Sequence, residues 1–374
     1  MPSTRNQNPH MPQAPVSNTK DRSAGKSHRL HGLDAARALA IIGMLAVNVG
    51  PRKEDGETQL AVLIYDLPHG RASLLFMILA GIGMSLMTKR SRTTGAPLPW
   101  QTIVWRATLL ILSGAALQML DHDISVILTY YGVLFFCGLP LLRAPTWLVT
   151  ALALVSLAAG PVVWLYLQQQ TATTFDFMAP ALTDPLWTMV HATLLTGAYP
   201  LAVWFAPFLL GLVLGRLALS ETAVQHRLIG WGAVATTVPM LAWLYLVMNF
   251  GFPDSEYGWD RLMSAEPHSQ MPLWMISGCG SAVLVIGMFL RGEKVVVHRL
   301  GWLVSAGRLA LTIYVAHLFM LAWLVRPGPH NVVEGYLTIA IMSVFFIAAA
   351  HLWWRHLGIG PLERLLRWPP RLTR

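Results

Sequence analysis

The 374-residue chain is 55% hydrophobic and only 12% charged, whereas a soluble domain of this size carries about a quarter charged residues. That deficit, together with repeated apolar stretches of 17 residues or more, excludes a soluble domain and predicts an all-α polytopic membrane helix bundle. The formal charge of +9 raises nucleic acid as a partner, but the lysines and arginines sit in tails and short loops between apolar runs, where such residues set membrane orientation, and nucleic acid is excluded.

Residues 1–28, rich in Pro, Ser, Asn and Gln, read as a disordered basic tail, followed by a single transmembrane helical domain over 29–374. No signal peptide is expected, because the first apolar run, near residue 33, has no small-residue cleavage pattern. The first predicted span, 33–51, opens on "GLDAARALA", where Asp34 and Arg37 are three residues apart and share a helix face. They read either as an N-terminal helix acid with a snorkelling arginine or as part of a site. Asn48 lies near the far end of this span and His69 just before the second, 72–88, with a loop between them short enough for the two to approach. His69 titrates near working pH and suits a general base, while Asn48 suits donation to an oxyanion or support of the imidazole. A structural histidine at an interface is the competing reading. Arg71 stands at the same boundary.

The third span, 102–120, carries Arg106. With Arg37 and Arg308 it could line a pocket for a phosphate-bearing ligand, or it could snorkel to the headgroups. Asp121, His122 and Asp123 form a tight turn before the fourth span, 124–143. The turn could shuttle protons or touch an acceptor, or be hydrophilic and nothing more. Tyr130 and Tyr131 follow about two turns into the helix, too deep for an interfacial aromatic belt.

Further spans are predicted at 146–167, 200–219, 228–250, 272–290, 302–325 and 335–354. The segment 186–200, containing His191, reads as an interfacial helix or re-entrant turn, although it could be an eleventh span. In the ninth span Arg308 and Thr312 are four residues apart and are expected on one face, with Tyr314 beyond them and His317 offset near mid-membrane. His317 faces either a polar cavity, a partner helix or a satisfied core position. Cys137 and Cys279 each fall within an apolar run and are expected as small core residues, with neither a disulfide nor a metal site.

Ten spans place both termini on one side. That side carries 19 of the 27 Lys and Arg residues, the other carries 5, and 3 lie within spans. The imbalance predicts cytoplasmic termini, and an eleventh full span would scramble it. No internal repeat of the kind found in inverted-repeat transporters is evident.

The run "GLDAARALAIIGMLAVNVG" followed by "HGRASLLFMILAGIGMSL" resembles the YeiB-like bacterial membrane proteins and the catalytic domain of heparan-α-glucosaminide N-acetyltransferases. Those families begin with Asp-x-x-Arg opening a first helix that ends in Asn, then a His-containing loop and a Phe-rich second helix. Asp34, Arg37, Asn48 and His69 occupy the corresponding places, although the loop before His69 is longer here. "TYYGVLFFCGLPLL", "LLTGAYPLAVWFAPFLLGLVLGR", "GRLALTIYVAH" and "GPLERLLR" look like YeiB-type members across the rest of the chain. Ser73 and Leu75 or Phe76 stand where the lysosomal enzyme has Asp and Pro, and no counterpart of its large lumenal domain is expected.

The resemblance implies acyl transfer in a bacterial inner membrane. Acetyl-CoA or another acyl-CoA would dock from the cytoplasm with its phosphates near Arg37, Arg106 or Arg308. A sugar or lipid-linked acceptor would approach from outside, with His69 as base and Asn48 at the oxyanion; an acetyl-histidine intermediate is the competing course. Asp34, Arg71, Asp121, His122, Tyr131 and His317 are then candidates for contacting or orienting the substrates. The implied partners are the lipid bilayer, the acyl-CoA and the acceptor, and a homodimer is an open assembly state. The rival readings are a transporter or lipid flippase without acyl transfer, and a non-catalytic membrane scaffold.

Overall fold

The computed structural model describes residues 29–50, 68–171, 178–253 and 257–367. The expected tail and most of the loop between the first two apolar segments lie outside the described residues. A helix occupies each of the ten predicted apolar segments: α1 (His31–Val49), α2 (Arg71–Met87), α4 (Trp100–Leu117), α5 (Leu128–Gly138), α6 (Thr146–Thr171), α8 (Leu201–Leu214), α9 (Thr222–Phe250), α10 (Pro272–Arg291), the pair α12 (Gly301–Arg308) and α13 (Ala310–Met320), and α14 (Val332–His356). Shorter helices join them: α3 (Lys89–Thr94), α7 (Leu186–His191), α11 (Glu293–Arg299) and α15 (Pro361–Leu365). No strand occurs among the described residues.

Among the described residues five helices are long and apolar enough to cross a membrane, and seven spans result if each of two bent pairs counts as one; Arg71–Met87 and Leu128–Leu142 are apolar but shorter. Length and composition alone therefore do not reach the ten expected. One bent pair joins the 186–196 segment to α8 at 64°, and in it α7 runs into a π turn. The other is α12 with α13, bent by 77° at Leu309. This bend corrects the expectation that Arg308 and Thr312 share a face, because the two lie on differently directed helices.

α1 is central and touches α2, α10, α12, α13 and α14. Its small residues permit this: Ala35, Ala36, Ala38 and Ala40 are all buried, the composition that lets helices approach closely in lipid. At the α1–α12 crossing a Cβ on Gly307 would collide with the Asp34 carbonyl oxygen. The α1 N-terminus is capped from a distance, since Glu293 accepts hydrogen bonds from the amides of His31 at 2.6 Å and Gly32 at 3.0 Å. An acid there satisfies open N–H groups and faces the positive end of the helix dipole. α9 packs mainly along α10 and exposes an otherwise apolar surface, as does α14. Helices apolar on their outward faces are suited to lipid.

Side-chain bonds sort the connections into two ends. At the basic end Arg29, Glu293, Arg308 and the 359–367 segment come together, and Arg216 bonds to Leu141 and Ala144. At the opposite end Asn48, the turn at His122 and Arg326 meet. Cys279 is buried, but Cys137 is exposed, which corrects its assignment to the core.

Candidate functional site

The basic end is built around one carboxylate. Asp34, only 2% exposed, accepts from Arg37 Nη1 at 2.8 Å and Arg29 Nη2 at 3.2 Å on Oδ1, and from Arg29 Nε at 2.8 Å and Arg308 Nε at 3.4 Å on Oδ2. The first two turns of α1 supply the Asp34–Arg37 pair. Arg29 precedes that helix, and α12 delivers Arg308 from the far part of the chain. The Arg308 guanidinium also lies 4.3 Å from the centre of the Trp354 ring and donates to His31 Nδ1 at 3.0 Å. Such stacking keeps a guanidinium planar and fixed.

A cavity of about 290 Å³ opens beside this cluster. Five arginines (29, 37, 106, 308 and 367) line it against two carboxylates, Asp34 and Glu363, leaving a formal lining charge of +3. Glu363 is occupied, since both its oxygens accept from Thr312, the backbone amide at 3.0 Å and the hydroxyl at 2.6 Å. Arg106 bonds only to neutral acceptors, the Leu366 carbonyl at 3.0 Å and Met87 Sδ at 3.1 Å. A half-buried guanidinium with neutral partners leaves positive potential facing the cavity. A second cavity of about 950 Å³ shares Arg29, Asp34 and Arg37 with the first.

From exposed Arg29 and Arg367 the smaller cavity passes apolar walls that include Phe76, Leu110, Leu128 and Phe135, and reaches buried Tyr131. The Tyr131 ring meets Phe76 edge-on at 5.4 Å, and its hydroxyl has no hydrogen-bond partner among the described residues. Tyr131, Tyr199 and Tyr314 lie within electrostatic reach of one another. Tyr199 approaches Ser73 Oγ at 3.5 Å, and the Tyr314 hydroxyl accepts from the Ile127 amide at 3.2 Å. Tyr314 in turn packs edge-on against His317, with ring centres 5.0 Å apart.

His317 Nε2 is 3.0 Å from Asn48 Nδ2. An amide nitrogen only donates, so Nε2 accepts and the ring proton resides on Nδ1. Nδ1 faces the Ile313 and Tyr314 carbonyls of the preceding turn without forming a well-shaped hydrogen bond. Arg326 holds the end of α1 by donating to the Asn48 carbonyl at 2.8 Å and the Val49 carbonyl at 3.4 Å, and it ties in the His122 carbonyl at 3.1 Å. A cation on the last carbonyls of a helix satisfies both orphan acceptors and dipole.

His69, just ahead of α2, lies near His268 in the loop before α10. The His268 ring stacks on Trp274 at 5.6 Å and Trp204 at 6.0 Å, and meets Tyr199 edge-on at 5.9 Å. Burial first, and the neighbouring His69 second, push the His268 pKa down to about 4. Gly70, at φ 70°, permits this packing, because a Cβ there would collide with the Trp274 ring. Arg71 anchors α2 to α10 by donating to Ser277 Oγ at 3.0 Å, the Ser277 carbonyl at 3.1 Å and Ser281 Oγ at 3.2 Å.

The structure thus brings Arg37, Arg106, Arg308 and Asp34 to one cavity with Tyr131, and it joins Asn48 to His317 rather than leaving each alone. His69 and Arg71 stand at the opposite end beside α10. His122 is fully buried, not part of a solvated turn: Nε2 donates to the Leu117 carbonyl at 3.0 Å and Nδ1 accepts from the Ile124 amide at 3.1 Å. Both ring nitrogens are therefore spent within the turn, while Asp121 and Asp123 beside it are exposed. Arg29, Arg367, Tyr199 and His268 escaped the sequence reading. His268 carried the same local signal as His69, a histidine in a polar loop a few residues ahead of an apolar helix.

Fold and site together define a polytopic helical membrane protein with an anion-receptive cavity at one end and a buried hydroxyl, amide and imidazole cluster inside. The chain belongs to the heparan-alpha-glucosaminide N-acetyltransferase catalytic family, whose model matches residues 29–246, more than half its length. A second family model, described as a protein of unknown function (DUF418), matches residues 221–371. No individual curated protein matches the chain.

Proposed function

We propose that the protein is a membrane-embedded acyltransferase that moves a short acyl group from cytoplasmic acyl-CoA to a hydroxyl or amine of an extracytoplasmic sugar or lipid-linked acceptor. The observation that carries this reading is the cavity leading from five arginines to Tyr131, whose hydroxyl is buried with no hydrogen-bond partner among the described residues. A CoA thioester has the complementary form, with phosphates at one end and a slender, weakly polar arm at the other. The excess of Lys and Arg at this end supports a cytoplasmic, donor-side position for the arginines. Family membership supports the same class of reaction.

In this reading Arg37, Arg106 and Arg308 bind the donor phosphates, with Asp34 fixing Arg37 and Arg308. The thioester carbonyl lies against the Tyr131 hydroxyl and the Asn48 amide, which His317 orients. His69 takes the proton from the acceptor O–H or N–H as the oxygen or nitrogen attacks the carbonyl carbon. The tetrahedral oxyanion collapses, the C–S bond breaks, and the thiolate receives the proton.

Purified protein in nanodiscs, given radiolabelled acetyl-CoA and a membrane glycolipid extract, tests this directly. Wild type should transfer label to the glycolipid fraction, whereas His69→Ala should lose transfer yet still bind CoA. Well-folded wild type that neither binds CoA nor cleaves the thioester would overturn the reading and favour a transporter or flippase.

A further inference from the structure

At the basic end a third cavity, of about 660 Å³, lies between α3, the start of α6 and the residues after α8. Lys89, Arg92, Arg143 and Arg216 line it, and none of its lining residues is acidic. The arginines bond only to neutral groups: Arg92 to Thr88 Oγ1 at 2.8 Å and Ser85 Oγ at 3.1 Å, Arg143 to the Ala96 carbonyl at 3.1 Å, and Arg216 to the Ala144 and Leu141 carbonyls at 2.8 and 3.0 Å. The Arg216 Nε is buried without a partner among the described residues. Burial, and then the charge of Arg216, lowers the pKa of Arg92, as expected where cations crowd without a counter-ion.

The flank of this cavity is apolar and outward-facing. Thr146, one of its lining residues, begins α6. Trp147 next to it is 70% exposed, and Leu154 and Val155 are 61% and 60% exposed. Positions seven and eight residues apart return to one helix face, so these three form a strip rising roughly 11 Å from the cavity. An exposed Trp beside a basic pocket, with an aliphatic strip above it, is the pattern of a membrane interface.

We propose that this cavity holds the phosphate of an anionic glycerophospholipid, with the acyl chains running up the Trp147–Leu154–Val155 face of α6. The shared chemistry is a phosphate among four cations. The apolar strip commits the site to a lipid over a free anion. The inference is independent of acyl transfer and needs only that the bundle sits in a membrane.

Delipidated protein in neutral detergent would be titrated with phosphatidylglycerol, phosphatidylcholine or inorganic phosphate, with bound lipid counted by native mass spectrometry and the melting temperature followed. Phosphatidylglycerol should bind at least about tenfold tighter than phosphatidylcholine and raise the melting temperature. Each removed cation should weaken it about fivefold, the equivalent of about 1 kcal/mol per basic residue near an anionic surface. Arg143→Gln is the first variant, because Arg143 is exposed and bonds to a single carbonyl. The Lys89→Gln/Arg143→Gln pair should lose about 25-fold. Arg355→Gln, an exposed cation outside the cavity, should leave binding unchanged. Melting in phosphatidylcholine alone checks that each variant is folded. Equal affinity for the two lipids, or variants that bind phosphatidylglycerol like wild type, would overturn the site. Inorganic phosphate reproducing the full stabilisation would overturn the lipid as its occupant.

Discussion

Tyr131 separates a functional from a structural role more sharply than any other side chain here. Its hydroxyl is buried beside the cavity and unpartnered, and such a group contributes nothing to folding while its desolvation costs about 1–3 kcal/mol. Tyr131→Phe should therefore leave the melting temperature unchanged or raise it. Acyl transfer should fall about 100-fold, the usual cost of one oxyanion donor. A variant that loses stability and keeps full activity would remove Tyr131 from the reaction. The candidate site was legible in part at this scale. Asp34 and Arg37 could be paired from their spacing, since they lie on one turn. The partnership of Asn48 with His317 crosses 269 positions of sequence, and no local pattern encodes it. The burial of His122 was misread for a related reason, because a histidine between two aspartates looks solvated until the turn closes on both its nitrogens.

Among the elements, the crossing of α1 with α12 sets the position of the arginine cluster. Gly307 packs against the Asp34 backbone and directly precedes Arg308, so the contact that admits the glycine also places the guanidinium. Gly307→Ala meets rigid main chain and should cost about 3 kcal/mol, the upper range for overpacking, read as a lower melting temperature. Gly230, in α9, has nothing within 4 Å of a built Cβ. Gly230→Ala should stabilise by up to about 1 kcal/mol through helix propensity. Equal effects of the two changes would show that the crossing is not tight. Hydropathy located a helix in each apolar segment, with ends off by up to about six residues, because apolar length is what the bilayer demands. It missed the bend at Leu309, where no proline marks the break and long-range packing of Arg308 and Thr312 on different partners coincides with it.

For the whole molecule, the aromatic box around His268 gives stability a pH dependence. The folded pKa of about 4 lies below the unfolded value of about 6.5. Between the two the unfolded chain binds more protons, so stability rises with pH across that window and is lost as pH falls through it. The contribution is on the order of a few kcal/mol. Melting in detergent should weaken from about pH 7 to about pH 5, and His268→Gln should flatten that decline. A variant with the wild-type slope would assign the acid sensitivity to other groups.

Arg29, Asp34 and Arg37 belong to the walls of both the 290 Å³ and the 950 Å³ cavities. An anion in either chamber draws on guanidiniums that the other also needs, so two small anions compete although they never touch. Linkage makes that antagonism equal in both directions. A single extended polyanion that reaches into both chambers escapes it, because its charges enter together as one molecule. A ligand bound there would thus be selected by its length as well as by its charge.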